Sequence, residues 1–247
     1  YFQGRKDLFE GLAIAELEKE WKQYPVLHFD MSACKNQLTM QGIVSELNRQ
    51  LDGYEELYGA GKNEDSPGKR FAGLIHRAQE KTGLKTVVIL DEYDAPMLDY
   101  FNKPDELEQV RRIMQEFYQM VKVCDKDEQF VFITGITKFS QLSIFSTLNN
   151  LRNISMMPQY SALCGITKNE LLTVFDVDIQ MLADEYGYTE QQMIDMLKLQ
   201  YDGYHFGKKS DDVFNPFSLT YAFMNRSVEN YWFSSGTPTF LFEAMKQ

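Results

Sequence analysis

Apolar and polar positions along the chain fall into two textures. In the first, short apolar runs alternate with longer stretches of helical period. "YPVLHFDMS" (Tyr24 to Ser32) is an apolar run closed by a polar turn and reads as a buried strand. Ile43, Val44, Leu47 and Leu51 recur at helical spacing behind Thr39, and Phe71, Leu74, Ile75 and Ala78 mark another helix that stops at Gly83. "TVVILDE" (Thr86 to Glu92) and "QFVFITG" (Gln129 to Gly135) are further apolar runs rich in β-branched residues. Between them lies a helix that opens at Pro104 and carries Leu107, Val110, Ile113, Met114, Phe117 and Val121 on one face. Continuous rather than alternating strands predict a parallel sheet covered on both faces, and strand–helix–strand alternation predicts an α/β fold.

The second texture begins near residue 165. "TKNE" (Thr167 to Glu170) and "TEQQ" (Thr189 to Gln192) both fit the capping box that starts a helix. The first predicts one long helix through Leu171, Val174, Phe175 and Leu182, and the second a helix through Ile194, Leu197 and Tyr201 that ends near Gly203. The tail from "NPFSL" onward is dense in aromatics and reads as a small helical subdomain or lid.

Composition adds boundaries rather than detail. The chain has 247 residues, 44% of them hydrophobic and 25% charged, which suits a globular protein of one large domain or one domain with an appendage. No run approaches the roughly 18 apolar residues of a membrane span. Three scattered cysteines are no disulfide framework and point to a reducing cytoplasm, and no Cys/His spacing resembles a zinc site. A net charge of −11 is a poor match for a nucleic-acid backbone. The basic pairs Arg111–Arg112 and Lys208–Lys209 read as solvated faces. The opening "YFQG" fits either the remnant of a tag-removal site or native sequence.

The chemistry concentrates where "TVVILDE" ends. Asp91 and Glu92 stand at the carboxyl end of a buried strand, the edge at which open α/β sheets bind ligands. An acid there can hold Mg²⁺ while its neighbour orients or deprotonates a water, which is the Walker B logic of P-loop ATPases. A strand ending in acids is by itself a weak signal, because loops are wet. "FVFITG" raises it by placing the Thr134 hydroxyl at the same sheet edge, where such ATPases sense the γ-phosphate. Lys138, four residues on, can add a positive charge beside a phosphate or simply be a solvated loop lysine.

"LDEYDAPM", "FITGITKFSQLSIFSTLNNL", "YSALCGIT", "YDGYHF", "NPFSL" and "YWFSSGTPTFL" together resemble the AAA-ATPase-like family, P-loop ATPases of the bacterial AAA/STAND kind that often precede a PD-(D/E)xK nuclease-like domain. The resemblance runs from about Arg5 to the end. It implies a P-loop-NTPase-like core over residues 1–165 and a helical, aromatic-rich lid over residues 166–247. It also implies ATP and Mg²⁺ as cofactors, Asp91 and Glu92 as the Walker B pair with Asp91 on the metal, and Thr134 as first sensor. Gly236, Thr237 and Pro238 are similar to the Gly-x-Pro turn near the adenine, although a Pro in a first helical turn explains Pro238 alone.

The family's P-loop, Gly-x-x-x-x-Gly-Lys-[Ser/Thr], does not occur in this stretch. "GAGKNEDS" has Asn63 where Ser or Thr is needed, "SPGKRF" has Arg70, and no apolar strand leads into either. Most of the grip on a triphosphate comes from that loop. The expectation is therefore an ATPase in the intact protein, with this stretch alone inactive and binding ATP weakly. The unfilled sheet position can be closed by further polypeptide or by self-association or domain swapping, or the fold has adapted as a non-binding relative. The alternative function is a non-catalytic interaction scaffold. A nuclease or phosphatase using Asp91, Glu92 and Asp94 is a third reading, and a nucleic-acid partner rests on family analogy only.

Overall fold

The computed structural model describes residues 1–37, 39–136, 148–207 and 210–231. The chain divides into two compact units, Tyr1–Leu151 and Arg152–Gln247.

The first unit is built on three parallel strands, β1 (Val26–Asp30), β2 (Thr86–Asp91) and β3 (Glu128–Ile133), in the spatial order β1-β2-β3. Three main helices accompany them: α1 (Met40–Tyr58), α2 (Pro67–Thr82) and α3 (Pro104–Tyr118). Register aligns Leu27 with Val88 and Val131, and Phe29 with Leu90 and Ile133. These two rows face the helices and form one core with Leu47, Phe71, Met114 and Phe117. Phe71 and Phe117 stack at 4.7 Å, and Phe29 meets both edge-on.

The opposite face departs from the expectation of cover on both sides. It carries the rows Val26–Val87–Phe130 and His28–Ile89–Phe132, with Val87 fully buried but His28 and Phe130 exposed. β1 therefore alternates buried and exposed residues like a half-covered strand. The run "VLHF" hid this because only His28 interrupts its apolar character. On this face Phe2 packs on Phe130 at 5.1 Å, within an aromatic group that includes Tyr1, Phe9 and Trp21.

The outer edge of β1 is capped by side chains of α1. The Tyr54 hydroxyl accepts from the His28 amide and donates to the His28 carbonyl, both at 2.7 Å. Gln50 treats Asp30 the same way with its side-chain amide, at 3.1 and 3.0 Å. Two residues thus substitute for a neighbouring strand and hide an edge that invites pairing.

Helix ends follow the sequence signals. Thr39 caps α1, Ser66 caps α2 ahead of Pro67, and Gly83 ends α2 in the left-handed conformation. "GAGKNEDS" is the α1–α2 connector, with no strand leading into it. Arg77 holds it from inside by donating to the Gly59 carbonyl at 2.8 Å and to Glu64. Arg70 joins the helices by donating to Glu55, Asp52 and Asn48.

The second unit contains β4 (Ile166–Thr167), α4 (Lys168–Val174), α5 (Asp176–Tyr186), α6 (Glu190–Tyr201), β5 (Val213–Phe214) and α7 (Pro216–Asn225). Both capping boxes are present, at Thr167 and Thr189. The long helix expected from Thr167 is instead two, because Phe175 leaves helical geometry (φ −109°, ψ 19°) and stacks on Phe223 at 5.4 Å. β4 and β5 pair antiparallel, an element too short for its periodicity to show. "YDGYHF" acquires a structural role here. The Tyr201 hydroxyl donates to the Glu229 carbonyl and accepts from its amide, Gly203 turns the chain at φ +116°, and Tyr204 bridges to Val213.

Candidate functional site

Parallel strands in register bring their carboxyl ends together. Asp30 lies opposite Asp91, and Leu90 opposite Ile133. The ladder continues past β3, since the Thr134 amide donates to the Leu90 carbonyl and the Tyr93 amide to the Thr134 carbonyl, each at 2.9 Å. Backbone pairing thus sets Thr134 beside Asp91.

The side chains then join. The Thr134 hydroxyl donates to Asp91 Oδ1. The Glu92 amide points at the same pair, 3.1 Å from Asp91 Oδ1 and 3.3 Å from Thr134 Oγ1. Asp91 Oδ2 has no hydrogen-bond partner among the described residues. One carboxylate oxygen is fixed and the other is left open.

Glu92 adopts a left-handed backbone at φ +48°, costly for a residue with a Cβ by about 1–2 kcal/mol. Its side chain meets Lys35, with Nζ 3.0 Å from Oε2. Both side chains are more than a third exposed, so the pair contributes at most about 1 kcal/mol. Lys35 follows a single 3₁₀ turn, Met31–Cys34, capped by Asp30, whose carboxylate accepts from the Ser32 amide at 2.9 Å. Beyond it the Asn36 amide donates to Asp99 at 2.6 Å, and the Tyr100 hydroxyl donates to the Gln37 carbonyl at 2.7 Å. The loop after β1 is in this way strapped to the segment after β2.

Asp94 does not join Asp91 and Glu92. It is 1% exposed, and its Oδ2 accepts from the Ile136 amide at 3.0 Å. The three acids of "DEYD" therefore do not converge, and among the described residues no group of three side chains is arranged to hold a metal. Cys34 is no nucleophile, because burial, reinforced by Glu46 and Asp30, pushes its thiol up to about 12. Lys138, Gly236, Thr237 and Pro238 lie outside the described residues.

One titratable group gave no signal in the sequence. Glu128 opens β3 at the opposite end of the sheet, is 8% exposed, and has no hydrogen-bond partner for either carboxylate oxygen. Burial, with the negative charges of Asp125 and Asp127 behind it, raises its carboxyl to about 8. The neighbouring Asp127 Oδ2 lies 2.9 Å from His76 Nδ1, a charge-pair distance without hydrogen-bond alignment.

A family model described as "Predicted AAA-ATPase" matches residues 1–145. The chain belongs to the AAA-ATPase-like family. An "Uncharacterized protein in vnfD 5'region" of Azotobacter chroococcum mcd 1 is 32% identical over 248 residues, which is all of this chain and 45% of that protein. The AAA-ATPase-like chain thus spans less than half the length of this relative. Both matches begin within "YFQG", so these residues read as native. No solved structure matches. No described helix is long and apolar enough to cross a membrane.

Proposed function

We propose that this AAA-ATPase-like chain carries the metal- and water-handling edge of an ATPase that hydrolyses ATP in the intact protein. The observation that carries this reading is the shared hydrogen-bond system of Asp91, Thr134 and the Glu92 amide at the carboxyl ends of adjacent parallel strands. Such a system orients one carboxylate and frees its second oxygen outward.

Mg²⁺ fits the donors present. It takes hard oxygen ligands, keeps several waters, and uses one or two carboxylates together with substrate phosphates. Asp91 Oδ2 is a free oxygen of that kind, fixed through Oδ1. When bound, the ion neutralises phosphate charge. Glu92 is the group that orients a water and takes up its proton, and its half-exposed carboxylate is reachable from solvent. Thr134 sets the orientation of Asp91, and Lys35 keeps Glu92 extended away from the core.

Phosphate binding is assigned to sequence outside this stretch, since the described connectors hold no glycine-rich cradle entered from a strand. The reading is tested on the full-length polypeptide with Mg·ATP. Glu92→Gln is expected to lower hydrolysis by about 10²–10⁴-fold with nucleotide affinity within a few-fold of the parent. Undiminished turnover overturns the role of Glu92. A full-length protein whose melting temperature Mg·ATP does not move supports an interaction scaffold instead. The 247-residue chain alone is expected to show no tight ATP binding.

A further inference from the structure

Asp94 and Gly135 form a contact that neither the Walker B reading nor the family match uses. Asp94 is almost wholly buried, yet lies three residues beyond an edge that must meet solvent and substrate. Its Oδ2 accepts from the Ile136 amide across 42 residues of sequence, one position past the point where the β2–β3 ladder ends. A side-chain carboxylate thus adds one more rung to the sheet, using an acceptor stronger than a carbonyl because it is charged.

Gly135 sits inside this rung. A Cβ on Gly135 would lie 2.7 Å from Asp94 Oδ1 and well under 3.0 Å from the ring of Tyr93. The ring cannot easily give way. Tyr93 is 1% exposed, and its carbonyl accepts from the buried Tyr118 hydroxyl at 2.7 Å. Only glycine lets the chain after β3 approach the chain after β2 this closely. Thr134 is the residue between, held on one side by the ladder and on the other by the rung.

We propose that Asp94 is a positioning residue, with Gly135 its obligate neighbour, that fixes segment 134–136 and so holds the Thr134 hydroxyl on Asp91. The catalytic part of this inference rests on the ATPase reading above; the structural part does not. Displacing Thr134 releases Asp91 Oδ1, lets the carboxylate turn, and removes one of the two acceptors facing the Glu92 amide. A shift of about 1 Å in such a group costs on the order of 10²-fold in rate.

The test uses the full-length protein and its variants Asp94→Ala, Asp94→Asn and Gly135→Ala. Amide hydrogen exchange reads the rung directly. In Asp94→Ala and Gly135→Ala the Ile136 amide is expected to exchange roughly 10-fold faster, with the amides of β1 and β2 unchanged. Asp94→Asn keeps an oxygen acceptor and should restore most of the protection. In Mg·ATP hydrolysis the two disruptive variants should lower kcat by about 10²-fold with KM within about 3-fold, and Asp94→Asn should recover much of it. Unchanged Ile136 exchange in Asp94→Ala overturns the proposal, as does acceleration spread evenly over the sheet. Should Asp94→Ala not fold, Gly135→Ala with Asp94→Asn still decides. A parent protein without ATP turnover refutes the ATPase reading, and exchange alone then decides the rung.

Discussion

The two ends of the three-stranded sheet treat carboxylates in opposite ways. At the carboxyl end each acid near the edge has a donor: Asp30 the Ser32 amide, Asp91 the Thr134 hydroxyl, Glu92 the Lys35 ammonium, Asp94 the Ile136 amide, and Asp99 the Asn36 amide. At the amino end Glu128 is more deeply buried than Asp91 or Glu92 and has none. The contrast follows from strand direction. Chain leaving the carboxyl ends of parallel strands turns back through loops whose amides are not used in the ladder, so carboxylates there find donors. Glu128 enters its strand between Asp125 and Asp127, where its neighbours carry its own sign. An acid that is partnered can stay charged and act on a ligand; one that is buried alone is held neutral.

Substitutions can break this contrast. The largest effect is expected for Asp91→Asn in the full-length protein. It should keep the Thr134 contact but lower Mg²⁺-dependent hydrolysis on the order of 10²-fold and raise the Mg²⁺ concentration needed, as read by a metal titration of turnover. Next is Glu128→Gln. Because the folded carboxyl titrates at about 8 against an ordinary 4.5, the stability of its neutral form is fully present below about 4.5 and lost as pH rises through about 8. Glu128→Gln should therefore raise the melting temperature at pH 9 by roughly 5 °C or more and leave it nearly unchanged at pH 4. Equal shifts at both pH values would show that Glu128 is not held neutral.

Smaller effects sharpen the other half. Thr134→Val removes the donor to a charged acceptor and should cost about 1.5 kcal/mol, seen in chemical denaturation. Lys35→Met should cost less than about 1 kcal/mol, because its pair with Glu92 is solvated. If Lys35→Met were the more damaging of the two, the edge would be organised by the ammonium rather than by the Asp91–Thr134 system.

Much of the framework was legible in the sequence because apolar runs and caps are local signals. The three strands, the helix stop at Gly83, both capping boxes and the rejection of "GAGKNEDS" as a phosphate loop follow from residues near one another. The meeting of Asp91, Glu92 and Thr134 followed from one rule about parallel strands. What stayed hidden depends on separation. Lys35 reaches Glu92 across 57 residues, and Asp94 meets Ile136 across 42. Nothing in "DEYD" distinguishes the acids that face outward from the one that turns in. The break at Phe175 was hidden for a similar reason, since its ring is stacked on Phe223, 48 positions away in the numbering.

The left-handed backbone of Glu92 has a consequence for how this chain drifts. Any side chain at that position is held against its own conformational preference, and glycine alone is at ease there. A single change to glycine would relieve about 1 kcal/mol while discarding the carboxylate. Selection for folding and selection for reactivity therefore pull in opposite directions at residue 92. In a lineage released from the reaction, this is the position at which loss of the activity would also make the fold more robust.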